Sequence, residues 1–411
     1  MTNFMRIDLS DFDNRRDEIS ADLMKAASEH GLFYVVNHGI CSEQIRTMFE
    51  ASQTFFELPE KVKETYSMDH PRNAGWEKLS QVRPSTGVAD LKESIQLSFH
   101  NSSDLRPSEE HVPGFDSIAT AFMEKCNQVS QQLLTCFAIG LGFPADFFTR
   151  CHDISQPDCL NSLRCTRYFE HKNQPEQTQS SNIGACRIGA HNDINTFSLL
   201  FQQEEETGLE VFHDNHWTPI HPVNDEIVCN VGDMIVRWSD DRLQSKSKLH
   251  HRVRTPRSHS SHSHSNSNSS ANSSDGEEDG SAHSQCSGGG EVPYRGPRYA
   301  LEYVNEANRS VIIQGRTKYT QPITAGEFLM MATEKNYKEV MKNQEMHLAT
   351  AIRNVAALNH TTASVTSITA ATHQKVVRAK SSTTAVDPTV VAAANESEDS
   401  PVKTQASLVS V

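Results

Sequence analysis

Apolar positions in the first third of the chain fall at helical spacing, broken by one short continuous apolar run. Over residues 14–30, Ile19, Leu23, Met24 and Ala27 share one face, which predicts an amphipathic helix. Gly31 follows, where a helix end favours a left-handed residue. LFYVV at 32–36 is short and rich in β-formers, so a buried strand is expected there. Ile45, Met48, Phe49 and Phe56 mark a second helix over 42–56. Ile118, Phe122, Cys126, Val129 and Leu133 mark a long third helix over 116–141.

From about residue 160 the pattern shortens. Segments 163–169, 196–202, 208–212, 217–220, 227–231 and 234–238 are brief apolar or alternating runs between polar and Gly-rich breaks. Strands at that spacing predict a β-sandwich or barrel, so the whole reads as an α/β cap on a β core. Residues 258–290 contain no Leu, Ile, Val, Phe, Tyr or Trp and cannot bury enough apolar surface to offset ordering entropy. They are expected to be disordered. Thr324 and Glu327 fit a capping box that opens a last helix, expected to fade by 345–358. The Thr/Ala/Ser/Val-rich remainder is again expected to be disordered. The domain organisation expected is therefore an N-terminal α/β region over 1–115, a catalytic β domain over 116–345 carrying the 258–290 insert, and a tail over 346–411.

Composition agrees with long stretches outside any core: apolar residues are 36 % of 411, and mean hydropathy is −0.55. The net charge of −14 argues against non-specific nucleic-acid or anionic-membrane binding. No run of about 18 apolar residues occurs, and the acidic start lacks a signal-peptide core, so no membrane span or secretion signal is expected. Nine cysteines, an odd number without a CxxC pair, read as free thiols of a reducing compartment. The expectation is a monomeric cytoplasmic protein.

Candidate chemistry lies in the β region: His191-Asn-Asp193, the pair His250-His251, and Arg298. Two imidazoles and a carboxylate make a facial triad suited to ferrous iron, leaving positions open for a co-substrate and O₂. A His-x-Asp spacing lets a strand end present both side chains on one side. Alone it is weak evidence, since 20 histidines give about one such pair by chance.

The surrounding phrases change that weighing. Gly189, His191 and Asp193 are followed in order by Leu199-Leu200-x-Gln202, Gly208-Leu209-x-Val211, Trp217, Asn230-x-Gly232-Asp233 and His251-Arg252-Val253. Upstream stand IDLSDF (7–12), EHGLFYVVNHGI (29–40), FFELPEKVK (55–63) and DLKESIQL (90–97). Together they resemble the 2-oxoglutarate/Fe(II)-dependent dioxygenases of the isopenicillin N synthase-like superfamily, over residues 5–345 without the insert.

The resemblance implies a double-stranded β-helix (jelly-roll) core with flanking helices. It implies that His191, Asp193 and one of His250 or His251 hold iron. His-Arg-Val favours His251, whereas Ser247, three residues before His250, would favour His250. It implies that Arg298 binds the distal carboxylate of 2-oxoglutarate, with Tyr168 supporting it. O₂ is then the oxidant, ascorbate a further candidate cofactor, and the partner a small organic molecule that is hydroxylated or desaturated with release of succinate and CO₂. Three departures stand out: Ala300 where the family has Ser, Phe169 where it has Pro, and the Ser/His-rich insert. The alternatives are an iron oxidase of the isopenicillin N synthase type, which uses no 2-oxoglutarate, and a catalytically silent scaffold.

Overall fold

Strand alternation splits the interior into two apolar clusters on opposite faces of one large sheet. The computed structural model describes residues 4–334 apart from 84, 86–88, 101, 171–185, 205, 244–249, 255–295 and 333. The chain divides into two units, Met1–Met346 and His347–Val411; every described residue belongs to the first. The two segments expected to be disordered lie outside the described residues.

The strands are β1 (Arg6–Asp8), β2 (Leu32–Val36), β3 (Gly75–Lys78), β4 (Lys92–Ser98), β5 (Ser162–Tyr168), β6 (Cys186–His191), β7 (Phe197–Gln202), β8 (Leu209–His213), β9 (His216–Pro219), β10 (Ile227–Val231), β11 (His251–Arg254) and β12 (Arg298–Asn305). The principal helices are α1 (Phe12–Glu29), α2 (Ser42–Glu57), α3 (Glu60–Lys63), α4 (Phe115–Gly140), α5 (Phe147–Cys151) and α6 (Asp233–Trp238). An eight-stranded sheet runs β1-β2-β10-β7-β12-β5-β4-β3, and a four-stranded sheet runs β6-β11-β8-β9.

One face of the large sheet packs on helices. Phe33, Ile95, Leu97, Leu163, Cys165, Leu199, Phe201, Leu301 and Tyr303 join Leu23 of α1, Phe55 and Phe56 of α2, and Phe122 and Phe137 of α4. The other face meets the small sheet: Tyr34, Tyr168, Val228 and Ala300 pack with Ile188, Leu209, Val211 and Val253. Two sheets closed over a shared interior, with helices outside, form the jelly-roll core.

Helices α1, α2 and α4 and the strand at 32–36 lie within a residue or two of the periodicity. Gly31, at φ 71°, takes the left-handed turn from α1 into β2. Thr324 and Glu327 form the expected capping box: Thr324 N and Oγ1 each donate to Glu327 Oε2, and Glu327 N donates back to Thr324 Oγ1. One expectation is corrected. Segment 234–238 is not a strand but lies in α6, where Met234, Ile235 and Trp238 are buried at helical spacing. So short an apolar run does not declare its period. Strands β1, β3, β4, β6, β11 and β12 had no counterpart in the periodicity. Among the described residues no helix is long and apolar enough to cross a membrane, and the eight described cysteines are unpaired.

Candidate metal centre

His191 is the last residue of β6 and His251 the first of β11, and the antiparallel pairing of these strands sets them opposite one another. Their ring centroids are 4.2 Å apart. Asp193 Oδ1 lies 3.4 Å from His251 Nε2 and 3.9 Å from His191 Nε2. The three donor atoms all fall within 4.8 Å of one another, and no other cluster of this kind exists among the described residues.

Asp193 is not delivered by a strand end as the His-x-Asp spacing suggested. β6 stops at His191, and a turn brings the carboxylate round. The N-terminus of α6 holds that turn. Asp233 N donates to Asp193 O at 2.9 Å, and Met234 N donates to Ile194 O and Asn195 O at 3.2 and 3.1 Å. Gly232 is required for this approach, because a Cβ there would lie 2.0 Å from Asn195 O. The Asn-x-Gly-Asp phrase is thus the buttress of the aspartate turn. Ser198 Oγ donates to Asp193 Oδ2 at 2.6 Å, so Oδ1 is the oxygen left facing the histidines. Sequence reasoning passed over Ser198, since a serine in an apolar strand carries no signal by itself.

His191 is set in the ligating form. His191 Nδ1 lies 2.9 Å from Gly189 O. A carbonyl only accepts, so Nδ1 carries the proton and the Nε2 lone pair points at the cluster. Burial, then the charge of Arg83 and the neighbouring His251, pushes the His191 imidazole well below its usual range. It is therefore neutral at pH 7. His251 is 7 % exposed, and its Nδ1 has no hydrogen-bond partner among the described residues. His250 precedes the strand and is exposed; its carbonyl accepts from Phe212 N at 2.8 Å. The structure thus brings His251 into the cluster and leaves the His250 side chain outside it. Two nitrogens and one carboxylate oxygen on a common side, with no cation among them, fit a divalent ion such as Fe(II).

Arg298 and Tyr168 stand opposite each other on β12 and β5. The Arg298 guanidinium, 1 % exposed, sits 4.8 Å from the centroid of the Tyr168 ring. Its Nε donates to Glu206 O at 3.1 Å and its Nη2 to Gln202 Oε1 at 2.7 Å. Its Nη1 is buried and finds no partner among the described residues. A fixed guanidinium with an unused buried donor fits a carboxylate ligand. Ala300, two residues on, faces the same interior. Glu206 went unnoticed in the sequence; burial raises its carboxyl to about 7, and it accepts from Tyr299 N at 2.5 Å.

The chain is similar to proteins of one known family. Residues 6–114 match the family described as non-haem dioxygenase in morphine synthesis, N-terminal, and residues 160–265 match the 2OG-Fe(II) oxygenase superfamily. A 2-oxoglutarate-dependent dioxygenase, frbA, from Dothideomycetidae sp. is 31 % identical over 59 % of this chain and 74 % of its own length. The proline hydroxylase buaE of Petromyces alliaceus is 31 % identical over 61 % of this chain and 81 % of its own length. A full-length Neurospora crassa protein solved in complex with alpha-ketoglutarate superposes with a TM-score of 0.63 at 22 % identity, covering 81 % of this chain and 97 % of that one. The chain belongs to the 2OG-Fe(II) oxygenase superfamily. It is an oxidoreductase, a dioxygenase whose cofactors are Fe(II) and 2-oxoglutarate.

Proposed function

We propose that His191, Asp193 and His251 hold the iron, that Arg298 and Tyr168 seat the distal carboxylate of 2-oxoglutarate, and that the enzyme hydroxylates or desaturates a small organic molecule with release of succinate and CO₂. The observation that carries this reading is the convergence of three donor atoms from β6, the following turn and β11 within 4.8 Å. The unused Arg298 Nη1 supports 2-oxoglutarate dependence over the oxidase alternative. Bound iron and 2-oxoglutarate supply the oxidising chemistry from O₂.

The chain's own residues prepare the site. Gly189 O fixes the His191 tautomer, and Ser198 turns Asp193 so that one oxygen is free. Gln202 and the Glu206 carbonyl lock the Arg298 fork before any ligand arrives, which lowers the ordering penalty of binding. Ile188, Leu209, Val211 and Val253 line the interior with apolar surface that limits water.

The proposal extends to organisation. Region 1–115 supplies β1 to β4 of the large sheet and would wall the substrate side, and region 116–345 would carry the catalytic centre. The enzyme would act in the cytoplasm as a monomer; nine cysteines without a CxxC pair support the reducing compartment. The test is Fe(II)-dependent conversion of 2-oxoglutarate to succinate by the full chain. Arg298→Ala should lose succinate formation yet still bind one equivalent of iron. Undiminished succinate release by that variant, or release without iron, would refute the assignment.

A further inference from the structure

Strand register sets a third charged side chain in line with the co-substrate pair. Lys92 on β4 lies directly opposite Tyr168 on β5, and Tyr168 lies opposite Arg298 on β12. Residues directly opposite on adjacent strands share a face, and here it is the inner one, because Tyr168 packs with Ile188, Leu209 and Val253 of the small sheet. Lys92 is 4 % exposed. Its ammonium forms no ion pair or hydrogen bond with any described residue. It nonetheless bears on the metal centre, since its charge helps depress His191.

A buried ammonium ordinarily has a carboxylate partner. The nearby acids are committed elsewhere. Asp90 accepts from Arg83 Nε at 2.9 Å and from Gly189 N at 3.3 Å. Glu77 accepts from Ser80 at 2.6 Å, from Ser94 at 3.2 Å and from Gln81. The nearby cation Arg164 pairs with Gln96 at 2.6 Å and faces Glu302 at 3.9 Å. Burial, reinforced by Arg164 and opposed by Glu77, lowers the Lys92 ammonium to about 8. It is still mostly charged at pH 7.

We propose that Lys92 is a specificity-determining residue that anchors an acid group, a carboxylate, on the primary substrate. The inference rests on the iron and 2-oxoglutarate reading above. In that reading the co-substrate is already served, at one end by Arg298 and at the other by the metal centre. Lys92 lies two strands from Arg298, on the far side of Tyr168, which is about 10 Å at ordinary strand spacing. It is left for a second ligand. A substrate with a carboxylate at one end would be tethered there, with the rest of the molecule extending toward the histidines.

The experiment uses the full chain, loaded anaerobically with Fe(II) and saturating 2-oxoglutarate, and follows the weak visible absorption of that complex. The probes are small carboxylic acids, each paired with its primary amide: proline with prolinamide, benzoate with benzamide, hexanoate with hexanamide. In the wild-type protein an acid should perturb the band at least tenfold more tightly than its amide. Lys92→Met and Lys92→Gln should form the same Fe(II)–2-oxoglutarate band but lose the preference for acid. Amides binding as well as acids, no acid-dependent change across the set, or a preference surviving in both variants would each overturn the proposal. So would bleaching of the band by the acids, which would put them in the co-substrate's seat. A band that never forms in the wild-type protein would be a failure of the iron reading itself.

Discussion

Replacing Lys92 by methionine should stabilise the metal-free protein, although it removes a charged residue beside the centre. In the unfolded chain the ammonium titrates near 10.5; in the folded chain burial brings it to about 8. Between those values the unfolded state binds more protons, so stability rises with pH through that window. Below about 8 the folded state bears the whole penalty of holding an unpartnered ammonium, and above 10.5 none of it. At ~1.36 kcal/mol per decade, the drop from 10.5 to about 8 corresponds to about 3 kcal/mol. Lys92 is 4 % exposed, so solvent screening takes little from this figure. Methionine has a similar length, no charge to desolvate, and the flexibility to fill the space. For a domain of this size about 3 kcal/mol raises the midpoint by roughly 5–10 °C. The assay is urea unfolding of wild type and Lys92→Met at pH 7 and pH 10, without metal or ligand. The variant should gain at pH 7, and the gap should narrow at pH 10. A less stable variant at pH 7, or a gap that does not change with pH, would refute the reasoning.

Glu93 on β4 accepts from Lys63 Nζ at 2.7 Å, Trp76 Nε1 at 3.0 Å and Arg167 Nη1 at 3.3 Å, all beneath the helices. Glu93→Gln strands the buried Lys63 and should destabilise by ~3–5 kcal/mol in urea unfolding; the double variant with Lys63→Met should recover part of that, and purely additive losses would contradict the coupling. Ser198→Ala frees the second oxygen of Asp193 and should weaken iron binding roughly 10–100-fold in a chelator competition, with an unchanged affinity counting against its orienting role. Ala300→Ser adds a hydroxyl beside Arg298 and should tighten 2-oxoglutarate about 10-fold or more in a KM measurement; no change would mean that the hydroxyl does not reach the ligand.

Helices and apolar strands were legible because each declares its period over enough residues. α1, α2, α4 and β2 are of this kind. β4 was not. Ile95 and Leu97 face the helices while Lys92, Ser94, Gln96 and Ser98 face the interior, so a fully buried strand reads as a polar stretch. That same polarity makes it the wall of a binding site, and a strand that periodicity does not show is the one that carries Lys92. The metal cluster was legible through its phrases, but its mechanics were not. The turn that presents Asp193 depends on α6, and α6 looked like a strand. Periodicity could not separate His250 from His251, because neighbouring residues exchange faces with a one-residue slip. Strand pairing does separate them, since His251 is the residue set opposite His191.

The most direct test of the central claim is an anaerobic Fe(II) titration in the presence of 2-oxoglutarate, read by the weak charge-transfer absorption in the green. Wild type should reach a plateau at one equivalent of iron. Asp193→Ala and His251→Ala should show no plateau, while His250→Ala should titrate as wild type does. A full band in His251→Ala together with its loss in His250→Ala would contradict the centre described here.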